Sequence, residues 1–329
     1  MRLFSKLYSS TKTKPRANLL FFVAGGGKLN YFGTKRWLEE HLDAGTHAPT
    51  TTLLENLQWA ACLDALAGSG NGDQQRSSLA MVVSKPPRPG TASAVFWEHL
   101  SEVAERFYPS MMTTNDEEEP TNATTLVHKK INLADASLSW EHERFSLRRL
   151  SAFSLSSLAA AASGSSSSSS ASSASRSLLK RQSLVDVPRL PEQLDALERH
   201  ANIIGEALAR QLYGGRLASG GNGGQYDALL KAEYAVSRAH LRALYEYYAS
   251  IPRAQQTLLS TSKSGGSGSG GSSSSASNSY NVPPLLKAIH GAMKKYSNGH
   301  IKLLHSKPDP KSPEFVFYEP ITAKMDVFK

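Results

Sequence analysis

The sequence predicts an α/β fold built on a mostly parallel sheet. Short apolar runs end in glycine, proline or a carboxylate, amphipathic helical stretches lie between them, and the character turns helical after a long serine tract. Strands alternating with helices at this spacing mean crossover connections, and crossovers mean a parallel or mixed sheet. In such sheets ligands sit beyond the carboxyl ends of the strands.

The elements follow in order. Leu3, Phe4, Leu7 and Tyr8 recur at helical spacing and predict one face of a surface helix. Asn18 to Ala24 is a continuous apolar run closed by Gly25-Gly26-Gly27, which suits a buried strand. Gly33 to Leu42 reads as a helix, with Trp37, Leu38, His41 and Leu42 recurring. Leu57 to Leu66 is a second strand, which places Asp64 near its carboxyl end; Ser78 to Ser84 is a third, stopped by Pro86-Pro87. Ala92 to Phe107 is an amphipathic helix with Val95, Phe96, Leu100, Val103 and Phe107 on one face. Thr125 to Ile131 predicts a fourth strand, Trp140 to Leu150 a loop and helix, and Ala152 to Leu155 a fifth strand.

Beyond the serine tract, helices are expected over Pro191 to Tyr213, Tyr226 to Ser250 and Val282 to Tyr296, the last with prolines near its first turn. Pro313 to Pro320 ("PEFVFYEP") reads as a short aromatic strand or docking segment. Residues of about 157–177, 214–224 and 261–279 have serine- or glycine-rich linker composition. The expected organisation is a first domain over 1–213, a glycine-rich linker over 214–224 and a helical region over 225–320.

Bulk properties exclude several classes. The net charge is +9 over 329 residues, but lysine and arginine are scattered, with no basic stripe interleaved with aromatics, so nucleic-acid binding is not expected. The single cysteine, Cys62, excludes a disulfide within the chain and any CxxC metal site. No apolar run reaches the length that spans a bilayer.

The glycine turn, Gly25-Gly26-Gly27-Lys28, invites a phosphate-cradle reading, and spacing defeats it. A P-loop needs a glycine where Phe22 stands and a Ser or Thr where Leu29 stands. A dinucleotide fingerprint counted from Gly25 needs a glycine where Asn30 stands. There is no G-x-S-x-G elbow for a serine hydrolase. Glu141-His142-Glu143 lacks the second histidine of a zinc helix, and the triplet is expected at an exposed helix start. The isolated histidines, among them His99, His128 and His200, are expected to be surface or core residues. Asn122 heads an Asn-Ala-Thr glycosylation sequon in an acidic loop.

Several long stretches carry a family resemblance: "RLFSKLY", "NLLFFVAGGGKLNYFGTKRWLEEHLD", "VSKPPRPGT", "VHKKINLADASLSWEHERFSLRRLSAFSLS" and "PEFVFY". They resemble the nicalin family, endoplasmic-reticulum membrane proteins related to nicastrin. The resemblance runs from the first helix to Tyr318 and is densest over Asn18 to Leu155. It implies a three-layer αβα fold like that of zinc aminopeptidases, incomplete on its N-terminal side, followed by a helical region. In active relatives the strand matching Asn18–Ala24 ends in a Glu-Glu pair and a Gly-Ser opens the next helix. Gly33-Thr34 matches the Gly-Ser, so Gly27 and Lys28 fall where the glutamates stand. One glutamate activates water and the other binds metal. Glycine does neither, and a lysine charge opposes a cation.

The resemblance also matches Asp64 to a metal-ligand aspartate, left here as an orphan. The last His ligand is expected after Ala152–Ser156, where this chain reads "SLAAAASG". The first His and a bridging Asp are expected upstream of Met1. The implied protein is therefore a pseudo-peptidase without cofactor, acting as a non-catalytic luminal scaffold in the endoplasmic-reticulum membrane. Its implied partners are the Nodal modulator protein and a small multipass membrane protein, its implied role multi-pass protein insertion at the translocon, with a tie to Nodal signalling. The resemblance further implies that the chain is a fragment, with a signal peptide upstream and a transmembrane helix downstream. The alternative is an active zinc metallo-aminopeptidase whose missing ligands come from the upstream part.

Overall fold

The computed structural model describes residues 1–10, 14–27, 30–42, 54–67, 79–107, 124–133, 138–157, 190–214, 228–230, 234–249 and 284–297. Lys28, Asn122, the Pro313 to Pro320 segment and most of the serine- and glycine-rich tracts lie outside these residues. The chain divides into two compact units, Met1–Leu285 and Leu286–Lys329.

In the first unit the elements run α1 (Arg2–Ser10), α2 (Phe32–Leu42), β1 (Ala60–Asp64), β2 (Leu79–Val83), α3 (Ala92–Phe107), β3 (Thr124–His128), α4 (His142–Leu147), β4 (Ala152–Ser156), α5 (Leu190–Tyr213) and α6 (Arg238–Ala249). Helix α7 (Pro284–Tyr296) runs almost wholly in the second unit and carries Pro284 at its first position, where a missing N–H costs nothing.

The four strands form one sheet in the order β1-β4-β2-β3. β1 pairs β4 in parallel, β2 pairs β3 in parallel, and β2 meets β4 antiparallel. The sheet is thus mixed rather than mostly parallel: two parallel pairs are fused back to back. The apolar periodicity that locates a strand carries no information about its direction, which is set by how the chain returns.

The sheet is covered on both faces. Leu79, Met81 and Val83 of β2, with Phe153 and Leu155 of β4, pack against Phe96, Leu100 and Val103 of α3 and Ile203 and Ala207 of α5. Trp59, Phe96 and Phe153 form a ring cluster with centroids 4.9–5.4 Å apart. On the other face Ala80 and Val82 meet Trp140. Beside them Cys62 packs with Leu38 of α2 and Phe145 of α4. All five residues of β2 are buried, as a run without polar alternation requires.

Local chemistry sets the helix ends. Thr91 caps α3: its Oγ1 accepts from the Ala94 N–H at 3.4 Å while its carbonyl accepts from Val95 at 3.0 Å. Gly214 ends α5 with φ +76°, donating to the Arg210 carbonyl at 2.8 Å. Within α5, buried Glu206 accepts from Arg210 Nε at 3.0 Å and from the Leu229 and Leu230 N–H groups at 2.9 Å each. This satisfied ion pair ties the chain at 228–230 to the helix.

Three expectations are corrected. Asn18 to Ala24 is not a strand, and Leu20, Phe21, Phe22 and Val23 are exposed. Among the described residues no strand pairs with this run, and an apolar run without a ladder partner does not become a strand. The helix expected over Tyr226 to Ser250 narrows to α6, with bends at Leu229 and Leu230 where Glu206 takes the backbone donors. The helix α1 forms as expected, but its apolar face is not uniform: Phe4 and Leu7 pack with Ala209 and Leu230, while Tyr8 is exposed.

Candidate functional site

The glycine turn closes by backbone hydrogen bonds. Tyr31, Phe32 and Gly33 donate to the carbonyls of Gly27, Gly26 and Gly25 at 3.2, 3.2 and 3.1 Å. Gly33 sits so close to Gly25 that an added Cβ would lie 2.3 Å from the Gly25 carbonyl oxygen. Only glycine allows this approach. Gly26 has φ +70°, and Asn30 and Tyr31 follow at +53° and +56°. Two consecutive non-glycine residues in the left-handed region are strained, and they need anchors to persist.

The segment before α4 and Arg144 of α4 itself supply the anchors. The Leu138 N–H donates to Asn30 Oδ1 at 2.8 Å, and Arg144 donates through Nε and Nη2 to the Asn30 carbonyl at 3.1 and 2.5 Å. The Tyr31 hydroxyl donates to the Ser139 carbonyl at 3.0 Å. Thr34, fully buried, donates to Glu141. The turn and α4 are therefore one hydrogen-bonded unit.

That unit contains Glu141-His142-Glu143, and the expected exposed helix start is overturned: His142 and Glu143 are buried and Glu141 is half-buried. Glu143 accepts from the Ser139 N–H at 3.1 Å, and Lys129 donates to the Ser139 hydroxyl. His142 Nδ1 lies 2.8 Å from Ser154 Oγ on β4, while its buried Nε2 has no hydrogen-bond partner among the described residues. Burial, and then the Lys129 charge, push the imidazole down to about 3, so it is neutral in the fold.

Asp64 ends β1, in register beside Ser156. Burial raises the Glu141 carboxyl above its ordinary range, the Thr34 hydrogen bond lowers it, and the negative charge of Asp64 raises it again. Burial, then Glu141 and Asp64, push the Cys62 thiol well up, which makes it a poor nucleophile. So the structure brings Asp64, Glu141 and Thr34 to one place.

Gly27 faces solvent, with nothing within 4 Å of an added Cβ. Open space, not crowding, surrounds the position where the resemblance puts a glutamate. Lys28 and Asn122 are outside the described residues. Among the described residues no three His, Cys, Asp or Glu side chains are grouped to hold a metal ion. The three protein ligands of a catalytic zinc are therefore not supplied by these residues. Thr34 and Glu141 bind each other, and His142 binds Ser154, so the polar groups here hold elements together. The sequence names the triplet but not its burial; the one hint is Trp140 before it and Phe145 after it, apolar anchors that draw the intervening residues inward.

No family model matches the chain. The "BOS complex subunit NCLN" of Canis lupus familiaris is 34% identical over 328 residues, which is 100% of this chain and 47% of that protein. The Homo sapiens protein of the same name is 33% identical over the same span. "Nicalin" of Caenorhabditis elegans is 26% identical over 267 residues, 77% of this chain and 40% of that protein. The chain spans about half the length of the vertebrate relatives it matches.

Two outcomes follow. Gly33→Ala is expected to destabilise the fold by about 1–3 kcal/mol through backbone collision, while Gly27→Glu shifts stability by less than about 0.5 kcal/mol; urea unfolding of both variants checks this. The second concerns pH. The imidazole of His142 titrates near 6.5 when unfolded and near 3 when folded. Between these values the unfolded state binds the extra proton, so stability is full above pH 6.5 and is lost as pH falls towards 3. The slope from this group is at most about 1.4 kcal/mol per pH unit. The raised Glu141 carboxyl acts with the opposite sign. Subtracting the pH profile of His142→Asn from that of the wild type isolates the histidine, and a difference that is flat from pH 7 to about 4 contradicts the assignment.

Proposed function

Homology to nicalin extends along the whole chain, and from it we propose that the chain belongs to a non-catalytic scaffold subunit of an endoplasmic-reticulum membrane complex. The observation that carries the reading is the 33–34% identity, over the whole of this chain, to proteins named as BOS complex subunits. Two features of the residues support it. The turn that opens α2 carries Gly27 and Lys28 in place of a carboxylate pair. The nearby carboxylates, Asp64 and Glu141, have no third ligand among the described residues.

In this reading the sheet and its helices are the C-terminal part of a three-layer aminopeptidase-like domain held in the lumen. Its partners are the Nodal modulator protein and a small multipass membrane protein. Together they support insertion of multi-spanning proteins at the translocon, with an effect on Nodal signalling through the same assembly. Asn122, in an Asn-Ala-Thr sequon, is the candidate carrier of a luminal glycan. Among the described residues no helix is long and apolar enough to cross a membrane, so attachment in this reading rests on other sequence. An active metallo-aminopeptidase would need a water-activating carboxylate at the glycine turn, and neither Gly27 nor Lys28 is one.

The test is affinity purification of the tagged protein, expressed from its own gene, out of mild-detergent membrane extracts. The expected result is co-purification of the Nodal modulator protein at near-equal amount, unchanged by Asp64→Ala. A cytosolic protein that captures no membrane partner would contradict the proposal.

A further inference from the structure

Helix α7 is apolar on one side and basic on the other. At about 3.6 residues per turn, Leu286, Ile289 and Met293 share one face, with Ala292 and Tyr296 beside them. Lys287 and Lys294 lie two turns apart on the opposite face, and Lys295 stands next to Lys294. Exposure follows the same division. The three lysines are exposed, while Leu286, Ile289, Met293 and Tyr296 are half-buried. The apolar stripe joins no hydrophobic core cluster among the described residues. The polar side is open: a Cβ added at Gly291 would meet nothing within 4 Å.

The charge has one sign. From Tyr247 to Pro308 the sequence holds no aspartate and no glutamate, and Lys287, Lys294, Lys295, Lys302 and Lys307 fall within that span. The helix itself carries three lysines and no acid. Among the described residues none of these three lysines forms an ion pair. Lys295 Nζ lies 5.8 Å from the centroid of the Tyr296 ring, a contact that leaves its charge in place. The helix has 13 residues, so it is about 20 Å long. That is short of the roughly 30 Å hydrocarbon layer, so α7 can lie on a bilayer but not cross it.

We propose that α7 is a membrane-surface helix that lies along an anionic phospholipid layer. Its lysines sit among the lipid phosphates and the stripe from Leu286 to Met293 lies beneath them. Charge complementarity carries this assignment, and the second face selects among anionic partners. A phospholipid surface is anionic at its heads and apolar below, so it satisfies both faces of one helix. A nucleic acid would satisfy the lysines and leave the stripe in water. Lysine stems reach from the apolar boundary to the heads, and the Tyr296 ring and hydroxyl suit the same boundary. The helix does not depend on the scaffold reading, which rests on other residues.

The test is flotation of the full chain with phosphatidylcholine vesicles, with and without phosphatidylserine. Capture is expected only with phosphatidylserine, and it falls as salt is raised. Lys287→Gln, Lys294→Gln and Lys295→Gln are each expected to weaken capture about fivefold, and together on the order of a hundredfold. Their unfolding midpoints stay unchanged, because all three side chains are exposed. Ile289→Gln combined with Met293→Gln keeps every charge and is expected to abolish capture, with helix content checked by circular dichroism. If that variant fails to fold, the lysine variants decide. No capture with phosphatidylserine, or equal capture of wild type and the triple lysine variant, overturns the proposal. Capture that survives the Ile289 and Met293 changes also overturns it, since the contact would then be purely ionic. Binding to polyglutamate without vesicle capture assigns the face to an acidic protein and overturns it likewise.

Discussion

The antiparallel ladder between β2 and β4 is the constraint on which the rest depends. It fuses the two parallel pairs into one sheet, and it pairs Met81 with Leu155 and Val82 with Ser154. Both strands are almost wholly buried, so a slip of one residue would turn Met81 and Leu155 off the α3–α5 face. The same slip would take Ser154 away from His142. Since β1 hangs on the far side of β4, the register also sets Asp64 beside Ser156, where its charge acts on Glu141. The core and the polar cluster are therefore specified by one pairing.

From that sheet the polar cluster grows outward. His142 joins α4 to β4, Thr34 joins α2 to the start of α4, and Asn30 and Tyr31 are held by the segment from 138 to 144. Each bond satisfies a group that burial would otherwise leave costly. In this cluster the buried His142 Nε2 has no hydrogen-bond partner among the described residues. The carboxylates are engaged as structural acceptors and as mutually repelling charges. That use is compatible with a scaffold, in which rigidity of this face matters and turnover does not.

Much of the fold was legible in the sequence. Helix α3 coincides with its amphipathic pattern, and β2 with the run from Ser78 to Ser84, because both are decided by their own residues. The segment from Asn18 to Ala24 was not legible: a strand needs a neighbour, and apolar periodicity does not name one. Strand direction at the β2–β4 junction was hidden for the same reason. The burial of Glu141, His142 and Glu143 was hidden because polar residues carry a surface signal, and only their partners on α2 and β4 reverse it. Asp64 was placed at a strand end as expected, but its neighbour Glu141 is 77 positions away in sequence and no local pattern joins them. The family resemblance was legible because it rests on long stretches, and whole-chain homology agrees with it.

The proposed scaffold reading turns on whether the glycine turn, with Gly27 and Lys28 where the resemblance puts two glutamates, holds a catalytic metal. The direct measurement is the zinc content of the protein purified from its own gene, made alongside hydrolysis of an aminoacyl substrate. Well below one zinc per chain, with no hydrolysis above background, is the result this account predicts. One zinc per chain, with hydrolysis abolished by Asp64→Ala, would contradict it.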